Sequence, residues 1–175
     1  MKILDDDDRE VKQGEAGEIC VRAPHVMAEY WKRPDATAET LKNGWVHTGD
    51  IARKDERGYM FILDRKKDMI VSGGFNIFPR EIEDVLSQHA DVAMVAVVGV
   101  PDDKWGEAVT AVVVPREGAH PSEQELINLV KARKGSTHAP KHIKFVNELP
   151  MTGVGKIDKK VLKAGFWTGR DRMVG

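Results

Sequence analysis

The chain has 175 residues, 41% of them apolar, which is enough for an ordinary soluble core arranged as one domain or two small ones. Its 27 basic and 28 acidic side chains leave a formal charge of −1, which excludes any general electrostatic pull toward nucleic acid or an anionic membrane. The longest apolar run, Val92 to Val100, falls well short of the roughly 20 residues of a bilayer span, so no transmembrane segment is expected.

In chain order, the first readable feature is the acidic run from Asp5 to Arg9, a polar turn. A calcium loop counted from Asp5 would need glycine at its sixth position and a bidentate glutamate at its twelfth; these are Glu10 and Ala16. Residues 18–22 alternate polar and apolar as a strand does. Within them the single cysteine, Cys20, reads as a core residue of a reduced protein. With no charged, apolar leader at the front, this predicts a cytoplasmic location. Residues 34–41 predict one or two helical turns ending near Asn43-Gly44. The turn Glu56-Arg57-Gly58 precedes a strand over 59–63.

The pattern then changes to strands alternating with helices. A charged stretch at 64–68 leads to Met69-Ile70-Val71 and a Gly73-Gly74 turn. Pro79 suits the first turn of a helix running to about His89, with Ile82, Val85 and Leu86 on one face. Strands follow over 92–98 and 108–114, then a helix from Ser122 to about Ala132 with Glu125 at capping-box spacing. A strand over 143–146 and a helix over 158–163 complete the set. The fold class expected is α+β: a β-rich segment over 1–66, then a compact unit over 67–175 with a central sheet flanked by helices.

Four segments line up in chain order. They are Gly44-Trp45-Val46-His47-Thr48-Gly49-Asp50; Asp64 to Ile70, running on through Ser72-Gly73-Gly74 to Glu83; Val100-Pro101-Asp102-Asp103-Lys104-Trp105-Gly106-Glu107; and Pro150-Met151-Thr152-Gly153-Val154-Gly155-Lys156. Two glycines before Lys156 let backbone approach a ligand, and the ammonium suits a phosphate. The spacing is not that of a Walker A loop, whose first glycine would fall on Pro150 and whose Ser/Thr on Ile157. His138 and His142 have i,i+4 spacing, but Pro140 between them breaks a helix and no third ligand lies near, so no metal site is read.

Together, from about Gly14 to Leu162, the segments resemble the last third of the adenylate-forming (AMP-binding) enzymes, most of all the acyl-CoA synthetases. The resemblance implies that residues 1–66 are the last β-rich part of a large N-terminal domain and that 67–175 form a small mobile lid. It implies that Asp50 holds the ribose hydroxyls of ATP and that Arg65 contacts the ribose or phosphate. By the same resemblance Lys67 takes the hinge position, Gly73 and Gly74 line the pantetheine tunnel, and Trp105 lies near the CoA nucleotide. The resemblance makes Lys156 the catalytic lysine of the adenylation step. Departures are Asp64 where the hinge motif opens with glycine, and Lys159 where an arginine is common.

The resemblance also implies what the chain lacks: the Ser/Thr/Gly-rich phosphate loop, the segment that meets adenine and Mg²⁺, and the acyl pocket. The substrates implied are a carboxylic acid, ATP (leaving as AMP) and CoA, with Mg²⁺ bound mainly by an N-terminal domain not among these residues. The chain by itself is expected to be inactive. CoA is the expected acceptor because lysine at the hinge is common among the synthetases and no carrier domain follows. Two other readings stay open: a stand-alone regulatory lid, and an adenylation domain that serves a carrier protein. The acyl substrate is not legible.

Overall fold

The computed structural model describes residues 1–167; the end of the second predicted domain, 168–175, lies outside them. Within the described residues the chain is a mixed α+β protein of two sheets and four α-helices, as expected. It divides into two compact units, Met1–Lys67 and one that begins at Asp68. Among the described residues, no helix is long and apolar enough to cross a membrane.

The first unit is an antiparallel sheet of β1 (Lys2–Leu4), β2 (Gly17–Val21), β3 (Leu41–Lys42), β4 (Trp45–Lys54) and β5 (Met60–Arg65). Its order is β1-β2-β4-β3, with β5 also on β4. Helix α1 (Pro34–Thr40) starts on its proline and runs straight into β3. Asn43-Gly44, read from sequence as a helix stop, is instead the two-residue turn of the β3–β4 hairpin. Both residues have positive φ, 50° and 77°, which an Asn-Gly pair tolerates and a primed hairpin turn requires. The ten-residue β4 is the longest of the strands that sequence reading missed; Ile3, Leu4 and Cys20 are buried against it, as are its own Ile51 and Ala52.

The second unit is built on a long hairpin, β8 (Val92–Asp102) and β9 (Gly106–Pro115). Asp102 closes its turn by accepting from the amides of Lys104 and Trp105, each at 2.9 Å. These two bonds, Trp105 first, hold its carboxyl below the usual aspartate range. Short β6 (Ile70–Ser72) and β7 (Phe75–Ile77) pair with each other, and β6 meets β9 at Ser72↔Gly106. Strand β10 (His142–Phe145) joins the same edge of β9 in parallel.

Alternation along β9 gives this sheet two apolar faces. Val109, Ala111 and Val113 join Val95 and Val97 of β8 in a core closed by α2 (Pro79–Leu86) and α3 (Glu123–Lys134). Val112 and Ala96 face the other way and are covered by Leu149, Ile157, and Leu162 of α4 (Lys159–Ala164). Helix α2 stops three residues short of the predicted His89, its apolar stripe ending at Leu86. Ser122 caps α3 by accepting from the Glu125 amide at 3.1 Å; Glu125's own carboxylate reaches His89 at 3.2 Å.

Candidate functional site

In the first unit, the segment from His47 to Asp50 lies on β4 and Arg65 ends β5. The two strands bring Asp50 and Arg65 directly opposite each other, with Arg65 Nε 3.9 Å from Asp50 Oδ1. Both side chains are well exposed, so this is a loose pair whose charged groups remain available to a ligand. A carboxylate beside a guanidinium can accept from a diol while the arginine meets an anionic oxygen. Thr48 Oγ1 donates to the Ile19 carbonyl at 2.8 Å and accepts the Asp50 amide at 3.1 Å.

Behind this pair lies a buried carboxylate that sequence reading did not single out. Glu18 Oε1 accepts the Gly49 amide at 2.9 Å; Oε2 lies 3.2 Å from Lys66 Nζ and 3.1 Å from His47 Nδ1. Burial pushes its carboxyl up, but the bonds from His47, Gly49 and Lys66 outweigh that and hold it below its ordinary 4.5. Lys66 also reaches Asp6 at 2.7 Å. Its ammonium is disfavoured by burial yet held charged, above its ordinary range, by the bonds to Asp6 and Glu18. Cys20 completes the cluster, its Sγ 3.5 Å from His47 Nδ1. Burial first, then the Glu18 and Asp8 charges, push this thiol up to about 11. Glu18, Cys20 and His47 are metal-ligand types within reach of one another. A Lys66 ammonium on Glu18 and a thiol this reluctant to ionise make the cluster a charge network rather than a cation site.

A sequence signal for Glu18 did exist. It shares strand parity with Cys20, so a buried Cys20 implies a buried Glu18, which then needs partners. Lys67, the expected hinge residue, sits in a single 3-10 turn, Lys66–Asp68, and is the last residue of the first unit.

In the second unit, the structure gathers Gly73, Gly74 and Trp105 in one place. The Gly73 amide donates to the Trp105 carbonyl at 2.9 Å. A Cβ on Gly73 would stand 2.8 Å from the indole ring, and its φ of 57° already favours glycine. Gly74, with φ 82°, has open space where a Cβ would go. Glu107, buried, accepts the Val71 amide at 2.9 Å and so fixes the strand leading into this loop. Lys104 and Lys141 Nζ lie 4.9 and 5.0 Å from the Trp105 ring centroid. An aromatic surface flanked by two ammonium groups suits a flat, phosphorylated ligand.

Lys156 stands on a short hairpin of its own. Met151 bridges Ile157, the Thr152 amide donates to the Lys156 carbonyl at 2.7 Å, and the Gly155 amide to the Thr152 carbonyl at 2.9 Å. Gly155 has φ 75°. The Lys156 amide donates to Thr152 Oγ1 at 3.2 Å. Leu149 and Ile157 clip the hairpin onto the Ala96–Val112 face of the sheet. Asp158 then caps α4 through the amides of Lys160 and Val161. Lys159, in the place of the commoner arginine, pairs with Glu83 of α2 at 2.7 Å, and Glu83 also accepts the Val97 amide of β8.

Residues 81–156 match the AMP-binding enzyme C-terminal domain, a stretch from the first turn of α2 to Lys156. The chain matches a C-terminal part of an adenylate-forming enzyme. Over its whole length it is 55% identical to a medium/long-chain fatty acid–CoA ligase of Mycobacterium tuberculosis, of which it covers 32%. It is 44% identical to a fatty acid–[acyl-carrier-protein] ligase of Streptomyces coeruleorubidus, covering 99% of this chain and 33% of that one. Among solved structures, the amide bond synthetase of Marinactinospora thermotolerans aligns with a TM-score of 0.85 at 41% identity, covering 94% of this chain and 33% of that one. The chain thus spans about a third of the length of the relatives it matches.

Proposed function

We propose that this chain is the C-terminal portion of an ATP-dependent, AMP-forming fatty acid–CoA ligase. The observation that carries the reading is the 55% identity, over all of the chain, to a medium/long-chain fatty acid–CoA ligase. In this reading residues 1–66 belong to the large catalytic domain and 67–175 form its mobile lid, with Lys67 at the hinge. The enzyme works in the cytoplasm, where the buried Cys20 stays a thiol.

A fatty acid carboxylate attacks the α-phosphorus of ATP and pyrophosphate leaves. Asp50 accepts from the ribose hydroxyls and Arg65 binds beside it. Lys156 stabilises the negative charge that grows on the phosphate oxygens, a contribution realised mainly in the transition state. Mg²⁺ would be held mainly by the large N-terminal domain, as the family resemblance implies. In the second half-reaction a thiol attacks the acyl-adenylate and AMP leaves. Gly73 and Gly74 line the path of the pantetheine arm, and Trp105, with its two lysines, faces the CoA nucleotide.

A second acceptor has a specific observation behind it, the similarity to an acyl-carrier-protein ligase. The test is acyl transfer by the complete ligase, with Mg²⁺-ATP, fatty acids of graded length, and either CoA or a holo-carrier protein. Acyl-CoA formation is expected; transfer to the carrier but not to CoA overturns the CoA assignment. The 175 residues alone should give no ATP–pyrophosphate exchange while remaining folded by circular dichroism, and exchange above background would defeat this division of labour.

A further inference from the structure

We propose that Glu18 is the positioning residue for the ribose-binding pair: one buried carboxylate that sets Asp50 against Arg65 by holding the residue next to each. The proposal rests on the assignment of Asp50 to the ribose.

Asp50 and Arg65 are cross-strand partners, but they cannot fix themselves. Their ion pair is long and open to solvent, and such pairs contribute little. The ladder around them is also irregular. The β4–β5 register shifts between Ile51 and Ala52, one cross-strand pair beyond Asp50–Arg65, and a bulge of this kind bends the strand next to the pair. Immediately before Asp50 stands Gly49, with φ 76° and no atom within 4 Å of where a Cβ would sit. A glycine so placed gains no direction from packing. The aim of Asp50 must therefore come from hydrogen bonds.

Glu18 supplies them on both sides. Its Oε1 takes the Gly49 amide, one residue before Asp50, and its Oε2 takes the Lys66 ammonium, one residue after Arg65. His47, on the same strand as Asp50, adds its Nδ1 to Oε2. One side chain on β2 thus ties the β4 residue just before Asp50 and the residue that follows Arg65 at the end of β5. Thr48 repeats the logic in smaller form, since its hydroxyl joins the Asp50 amide to the Ile19 carbonyl, the residue after Glu18. The carboxylate is needed in its charged form. An amide in its place would turn an N–H toward either the Lys66 ammonium or the Gly49 N–H, donor against donor.

The experiment measures, in the complete ligase, how strongly ATP is preferred over 3′-deoxy-ATP in fatty-acid-dependent pyrophosphate exchange. Asp50→Ala should abolish most of the preference. Glu18→Gln should lower it roughly tenfold, the scale of a lost charge-assisted hydrogen bond, with KM for the fatty acid unchanged. Combining Glu18→Gln with Asp50→Ala should lower it no further than Asp50→Ala alone. Lys66→Met, at a half-exposed side chain, should lower it in the same direction by less, and decides the matter if Glu18→Gln does not fold. If both Glu18→Gln and Lys66→Met keep the full preference while Asp50→Ala loses it, the positioning role is wrong and the Asp50 assignment stands. The positioning role also falls if Glu18→Gln slows both nucleotides equally. If Asp50→Ala keeps the preference, the Asp50 assignment falls and takes the proposal with it.

Discussion

The two places where this chain meets ATP in the proposed reading are held by opposite means. Around Asp50 the fixing is done by charge: a buried Glu18 with Lys66, His47 and a main-chain amide, on the inner strands of a sheet. Around Lys156 it is done by the main chain, in a hairpin tied by its own amides and clipped by Leu149 and Ile157 to an apolar face. The difference suits the two tasks. A group that accepts from a neutral diol needs a settled direction. A lysine that meets a developing charge needs reach on a firm base, and competing carboxylates close to its ammonium would blunt it.

Four measurements would break or sharpen this contrast. The largest effect belongs to Lys156→Ala in the complete ligase, which should slow adenylation by about 10²-fold or more at unchanged far-ultraviolet circular dichroism. A loss below a few-fold would remove the lysine from the transition state. Next, Gly73→Ala should cut kcat/KM for CoA by about tenfold while leaving pyrophosphate exchange intact, because the added methyl must displace the Trp105 ring at a strained φ. Equal losses in both half-reactions would place the damage in the fold instead.

The third measurement separates charge from main chain by pH. Glu18 is held below its ordinary 4.5 when folded, so the stability it contributes is present above that pH and is lost as pH falls through its folded value. Cys20 is held up, at about 11 against an ordinary 9.0, so its contribution is intact below pH 9 and is lost as pH rises toward 11. Denaturation followed at Trp45 should therefore weaken at both extremes. Glu18→Gln should flatten the acid limb and Cys20→Ala the alkaline one. The smallest effect is expected from Thr152→Val, which removes the acceptor for the Lys156 amide. It should cost about 1 kcal/mol by urea denaturation and lower adenylation only a few-fold.

Local chemistry made much of this structure legible. Pro79 opens α2, Ser122 caps α3 through the Glu125 amide, and the near-continuous apolar runs over 92–98 and 108–114 mark the central hairpin. What escaped depended on partners distant in sequence. Strand β4 carries His47, Thr48 and Asp50 where an ordinary strand shows an apolar alternation, because these residues bond to β2 and β5 instead of packing in oil. Asn43-Gly44 could close a helix or a hairpin, and only the presence of β4 decides between them. Glu18 shares the parity of the buried Cys20, but nothing nearby in sequence reveals that its partner Lys66 is waiting 48 residues away. The motif residues Asp50, Arg65, Gly73 and Trp105 were legible one by one; the pairings that unite them were not.

Strand β9 has one further consequence, and it is a matter of time. β8 runs along one edge, while β10 and β6 take up the other. With helices on one face and the Lys156 hairpin on the opposite face, its central amides have no exit to water short of opening the whole unit. The hydrogen exchange of Ala111 and Val112 therefore serves as a clock for that opening. It ticks at the rate set by the entire second unit, even when the hairpin above it frays and closes many times in between.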